Sequence, residues 1–436
     1  NLVNEIDEAR GQEESLGKVI NNVKSGLAQT EDKLSVSNPS IIQFPVQTPE
    51  ADDTARVIRA INSIALVGGD IKFPRQTYNI NGQIIVPSNI RLIAESGTII
   101  NSSYTAGALF LIQGDYSVLD GFSFDGINTT SIVIDGADDV VIKNCSFNNC
   151  KLAINTLNPS ERGLIEGNRI TNMVSGQSGL RLADTTRFTV KGNYINNTHA
   201  GIYTTGNIDL VIDSNDIGAT TFSAGITGNA TNIIITNNKI HDCAEHGIYL
   251  NKSSNVLIER NIIKDVGYIR GSGAGMKLGT DTSVPITKMT LDGNIITGCN
   301  GRGIHTVDGV NHLSIINNTI SENQYDGIML SFNQSVLIMN NTIMNNGLRA
   351  VNVYSGVYLF GETATTRYCK NIMITGNNIS DNQATKSQKR AIESNLGGNS
   401  PIYVTLNTIN GNIDTVTPIN VSTGSGVNIV EKNMIA

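Results

Sequence analysis

The sequence has no Trp and few other aromatics, 10 Phe and 12 Tyr in 436 residues. It also has no excess of basic charge. Its 38 acidic and 31 basic side chains leave a net charge of −7, which argues against a protein that coats nucleic acid. No apolar run approaches the ~18 residues of a membrane span, so insertion into a bilayer is not expected. No secretory hydrophobic region opens the chain. The first residue is Asn1 rather than Met, and a fragment or processed product is expected. The five Cys include no Cys-x-x-Cys, and no paired His spacing or calcium-loop motif occurs, so neither a metal nor another cofactor is expected. Cys150, Cys243 and Cys299 share one repeat slot. The last two sit two turns apart, about 10 Å, beyond disulfide reach, and are expected to be buried thiols.

What the sequence has in abundance is Ile, 58 times, and Asn, 54 times. Ile points to strands; Asn points to turns and tolerates left-handed backbone. From about residue 118 a unit recurs: an apolar–x–apolar triplet, a polar pair, then Asn-x-Ile. Ile233–Ile240, Val256–Ile263, Leu313–Ile320 and Val336–Ile343 are examples. The repeated Asn falls at 168, 193, 215, 238, 261, 294, 318, 341, 377, 407 and 433, mostly 22 to 25 residues apart, with Cys145 in the same slot before them. A Gly-Ile-x element follows each unit. Three short strands per ~23-residue turn cannot bury themselves singly, but stacked on copies of themselves they form a parallel β-helix with an apolar lumen. The fixed Asn is expected to stack as an amide ladder at the ~4.8 Å strand spacing. Leucine-rich repeats share the period, but Ile and Val occupy the slots where Leu belongs.

The ends of the chain read differently. Leu2, Ile6, Ala9, Leu16, Ile20, Val23, Leu27 and Leu34 keep a heptad spacing, which predicts a coiled-coil stem over residues 1–35; one amphipathic helix lying on the body is the alternative. Gly11, Gly17 and Gly26 loosen it. Residues 36–52, with Pro39, Pro45 and Pro49, read as a linker, and 53–66 as a short helix at the head of a body running to 436.

The stretches Asp52–Ala55, Ala60–Asn62, Gly68–Pro74 and Thr77–Ile80 resemble the opening of pectate-lyase-like right-handed β-helices. In that family the short helix caps the cylinder. Ala9-Arg10-Gly11 and Ser15-Leu16-Gly17 resemble the stems of phage tail proteins. Together these features resemble phage tail spikes and appendages. The resemblance implies a homotrimer on the virion tail or baseplate that binds a host surface polysaccharide, such as a wall glycan or teichoic acid. Cleavage of that glycan, a secreted bacterial lyase or epimerase, and a structural fibre or adhesin remain as alternatives. The polygalacturonase signature is missing; Glu245-His246-Gly247 is its nearest local match.

The residue after each Gly-Ile is Tyr203, Thr227, Tyr249, Lys277, His305, Met329 and Tyr358, and these are expected to form one outward stripe. Tyr249, Lys277, His305 and Tyr358, with Arg302, are the candidate glycan contacts. Asp281, Asp308 and Glu362 fall in nearly one column beyond the stripe. Asp281 and Asp308 would be one turn apart, roughly 5 Å, and Asp308 and Glu362 two turns, roughly 10 Å, spacings open to acid–base cleavage of a glycosidic bond. Asp326 and Glu245 are further candidate carboxyls. The long loops 266–288 and 345–371, carrying Arg270, Arg349 and Tyr354, lie beside this column.

Overall fold

The computed structural model describes residues 38–435, except 175, 270, 272, 280–285, 308–309, 363–366, 396–400 and 422–427. The predicted stem, residues 1–35, lies outside the described residues, as do Asp281, Asp308 and Arg270. The body is an all-β solenoid of about 14 turns in which every inter-turn pairing of named strands is parallel. A representative turn holds strands Ile248–Leu250, Ser254–Glu259 and Ile262–Lys264. The third strand of every turn joins a 15-stranded sheet; the first two join a 29-stranded one.

The lumen is apolar because alternate residues of each short strand point inward. Ile240, Ile263, Ile296, Ile320 and Ile343 stack in register, and all five are fully buried. Rings thicken the core near its start: Phe73, Phe110, Phe122, Phe124 and Phe147 are sealed, with Phe124 and Phe147 stacked at 4.9 Å. The five cysteines are free and buried.

Turn chemistry accounts for the Asn excess twice over. The residue before the ladder Asn takes positive φ, as at Asn237 (55°), Asn317 (56°) and Asn340 (57°), a conformation Asn tolerates better than most residues. The next Asn turns inward. From Asn168 to Asn433 each side-chain amide donates to the Oδ1 of the Asn one turn on, at 2.9–3.0 Å. Cys145 ends the ladder by donating its backbone N–H to Asn168 Oδ1. A shorter second ladder runs Asn323–Asn346 and Gln388–Asn412. The Gly of each Gly-Ile element has a steric reason. A Cβ at Gly303 would stand 2.4 Å from Ile320 Cγ2 and 2.7 Å from the Gly327 carbonyl oxygen, so any larger residue would push the turns apart.

The described residues include one short α-helix, Thr54–Ile64, within the predicted 53–66. It lays Val57, Ala60, Ile61 and Ile64 on the first strands of the solenoid. Asp53 ties its start down: its backbone N–H donates to the Asn79 carbonyl at 2.7 Å, and its carboxylate accepts from the Asn79 N–H at 2.6 Å. The Pro-containing lead-in packs on the same turn, with Ile41 fully buried and the Pro39 carbonyl accepting from Lys72 N–H.

Candidate functional site

The stripe expected from the Gly-Ile-x motif forms in register. Arg181, Tyr203, Thr227, Tyr249, Lys277, His305, Met329, Tyr358 and Glu393 are successive Cα partners on the first strand of successive turns. Neighbours are therefore about one strand spacing, ~4.8 Å, apart. It is less solvated than a plain outer face, since Thr227 and Met329 are nearly as buried as the core while Tyr249, Lys277, His305, Tyr358 and Glu393 are partly buried.

A second column runs beside it at the corner preceding the Gly. Backbone bonds carry it from His246 past Ala274 to Arg302, Asp326, Ser355 and Arg390. The two columns meet. The His246 and Tyr249 rings lie 5.5 Å apart, and Lys277 Nζ sits 5.1 Å from the Tyr249 ring centre. The Arg302 guanidinium lies 5.5 Å over Tyr325, and Tyr325 packs edge-on against Tyr354 at 4.7 Å.

The titratable groups differ along the flank. At one end stand Lys277 and Arg302 with two neutral imidazoles. Burial pushes His246 down to about 3, with the Lys277 charge adding to the effect. Burial likewise pushes His305 down to about 3, with Arg302, Lys277 and His246 contributing. The Ala274 N–H donates to His246 Nδ1 at 2.9 Å, so the neutral ring carries its proton on Nε2. That buried Nε2 has no hydrogen-bond partner among the described residues; Glu245 Oε1 is 3.6 Å away. At the other end lie two carboxyls. Asp326 is 3% exposed, and burial raises its pKa despite Arg302 Nε at 3.3 Å. Glu393 accepts from Lys389 and Arg390, both at 2.7 Å. Ser355 joins them, its backbone N–H donating to Asp326 Oδ1 and its hydroxyl to Glu393 Oε2, both at 2.8 Å. Among the described residues no three His, Cys, Asp or Glu converge as a metal-ligand set.

Of the candidates from sequence, the structure brings together Tyr249, Lys277, Arg302, His305, Asp326 and Tyr358. Glu362 stands beyond the end of its strand, Val357–Phe360, in a mutual backbone bridge with Arg367. Asp326 and Glu362 thus flank opposite ends of the paired strands Ile328–Ser331 and Val357–Phe360. Sequence reading met His246 only within the Glu245-His246-Gly247 match and passed over Ser355 and Glu393. His246 and Ser355 sit in the slot before Gly, which was not aligned as a column. Glu393 follows Ala391-Ile392 rather than Gly-Ile, so the motif did not extend to it.

A parallel solenoid with a cationic, aromatic and carboxyl cluster along one flank is the class of protein that this fold and flank define. The chain belongs to the right handed beta helix region family, whose model matches residues 156–287 and 268–435. Among the curated proteins none matches it in sequence. Similar solved structures share its fold at low identity. A variant tailspike protein of the E. coli bacteriophage HK620, in complex with a pentasaccharide, has a TM-score of 0.65 and 14% identity over 92% of this chain and 79% of that one. A surface adhesin of Streptococcus pneumoniae has a TM-score of 0.56 and 15% identity over 75% of this chain and 93% of that one. The mannuronan C-5 epimerase A-module AlgE6 of Azotobacter vinelandii has a TM-score of 0.53 and 15% identity over 91% and 99%.

Proposed function

We propose that the protein is a tail-spike-type receptor-binding protein that recognises a host surface polysaccharide through the flank between His246 and Glu393. In this reading residues 1–35 join three chains as a helical stem, and the helix at 53–66 closes the head of each cylinder. The protein sits on a phage tail or baseplate, contacts other tail proteins through its N-terminal side, and acts outside the host cell on a wall glycan or teichoic acid. The observation that carries the reading is the register-locked run Tyr249, Lys277, His305 and Tyr358 beside Arg302. It offers ring faces for sugars and cations for anionic substituents at one strand spacing. The tailspike with its bound pentasaccharide supports the reading by sharing the fold.

Recognition is favoured over cleavage because Asp326, the predicted carboxyl within the cluster, is almost wholly buried and already holds Arg302 and Ser355. The serine bridge supports a second reading, in which the flank also hydrolyses the glycan. There Asp326, whose pKa burial raises, gives its proton to the leaving oxygen, while Glu393 takes one from the attacking water. The deciding experiment incubates the protein with purified wall polysaccharide. Retention of the glycan without new reducing ends or unsaturated sugars supports recognition; new ends support hydrolysis; neither retention nor products overturns both readings.

A further inference from the structure

The same face carries a separate cleft three to four turns toward the N-terminus, of about 300 Å³, lined by Gln177, Ser178, Arg181, His199 and Tyr203 among others. Arg181 and Tyr203 are register partners on adjacent turns, and the guanidinium lies 5.9 Å from the Tyr203 ring centre. Arg181 has no carboxylate partner among the described residues, whereas Arg162, Arg187 and Arg390 are all ion-paired. An Arg left without a counter-charge in a concave, polar site is a ready receptor for a planar or tetrahedral oxyanion. Beside it, the His199 and Phe222 rings stack at 4.4 Å and 15°, and both Tyr203 (37%) and Phe222 (43%) keep exposed ring surface. The walls are tied before any ligand arrives. The His199 N–H donates to the Gln177 carbonyl at 2.9 Å, and the Ser223 N–H donates to the His199 carbonyl at 2.8 Å. A pre-set wall lowers the ordering cost of binding.

We propose that this cleft is a second saccharide subsite, taking a sugar that carries an anionic substituent, with Arg181 holding the anion and Tyr203 stacking on the ring. The proposal rests on the glycan-binding reading above and deepens it: the ligand is acidic, and one chain engages both subsites. From Tyr203 to Lys277 the stripe takes three register steps, ~14 Å at strand spacing. An oligomer long enough to reach both subsites gains affinity over a short one through effective concentration alone.

The test is calorimetric titration of the full chain with three defined probes: an oligogalacturonate, a ribitol-phosphate oligomer and a neutral maltooligosaccharide. The first two separate a carboxylate from a phosphate as the anion. The expected result is that one acidic probe binds. Arg181→Met then weakens it by about tenfold while changing the neutral probe less than about twofold, and Tyr203→Ala weakens every probe that binds. Both substitutions are at the surface, so an unchanged Tm confirms that folding is intact. If Arg181→Met and Tyr203→Ala both bind the acidic probes like wild type while Tyr249→Ala loses affinity, the subsite is wrong and the function stands. If the wild type prefers the neutral probe, the acidic assignment is wrong. A wild type that binds none of the three overturns the subsite and the glycan-binding reading together.

Discussion

The Asn261 side chain donates to Asn294 Oδ1 at 3.0 Å, although 33 residues separate the two. Ladder neighbours one ordinary turn apart, such as Asn238 and Asn261, meet at the same distance. A turn of 33 residues thus closes the buried seam as an ordinary turn does. Asn261 also donates to the Ile235 and Glu259 carbonyls and accepts from the backbone and side chain of Asn238. Replacing it with Ala leaves several buried groups unpaired at once. Each costs about 1–3 kcal/mol, so Asn261→Ala is expected to destabilise the fold by at least ~3 kcal/mol. Chemical denaturation measures this, and a loss under ~1 kcal/mol would show that water fills the gap.

The repeat, the lumen register, the amide ladder and the stripe were all legible in sequence, because each follows from a short period. A strand fixes which side a residue faces, and a stack fixes its neighbours one turn away. The site was only partly legible. Whether an outward residue is solvated depends on loops with no period, so the burial that drives the pKa of His246 and His305 down had no sequence signal. The Asp326–Ser355–Glu393 link joins the corner column to the stripe across three turns, and Glu393 lies where the Gly-Ile pattern had lapsed.

The heptad at residues 1–35 leads to an assembly prediction. Light scattering of the full chain at micromolar concentration is expected to give three times the 46.6 kDa of one chain. A monomer mass would remove the stem from the reading. Deleting residues 1–35 tests whether the flanks of the body hold the trimer without it.

Groove substitutions should separate stacking from charge. Tyr249→Ala removes a ring that His246 and Lys277 both approach, and is expected to weaken glycan binding by about 1–2 kcal/mol. Lys277→Met keeps much of the side-chain stem. It should weaken binding mainly at low salt, with the difference shrinking as ionic strength rises. Titrations at two salt concentrations check this. A Lys277→Met effect independent of salt would mean that the side chain acts through packing.

Acid should destabilise the body before its carboxylates titrate. The folded-state pKa of His246 is depressed to about 3 from an ordinary 6.5. As pH falls below 6.5 the unfolded chain takes up the proton first. The stability contribution is therefore full above 6.5 and is lost progressively toward 3. At pH 4 the loss from His246 is on the order of 3 kcal/mol. Asp326 works the other way: its raised pKa favours the folded state at low pH and loses that contribution as pH rises through the folded value. Thermal melts from pH 7 to 4 should show Tm falling, and the His246→Gln, His305→Gln double variant should fall less steeply. Parallel curves would mean that the two rings are protonated in the folded protein.

The carboxyl pair decides between holding the glycan and cutting it. Ser355 reaches Asp326 with its backbone N–H and Glu393 with its hydroxyl, so the pair is fixed by one residue. Hydrolysis needs one protonated and one ionised carboxyl. Burial raises the pKa of Asp326, while Lys389 and Arg390 flank Glu393 as cations. If the flank cleaves, Asp326→Asn and Glu393→Gln should each lower turnover by at least ~100-fold with glycan affinity retained, since each removes one proton-transfer group and little volume. If the flank only binds, the outcomes diverge. Glu393→Gln should then change affinity by less than ~1 kcal/mol. Asp326→Asn should lower Tm instead, because Arg302 loses its buried counter-charge. Single-turnover assays on wall polysaccharide, read beside melting curves of the same two variants, distinguish the cases. Equal loss of Tm and turnover in Asp326→Asn, with Glu393→Gln silent in both, would assign Asp326 to the scaffold and leave the flank a binding surface.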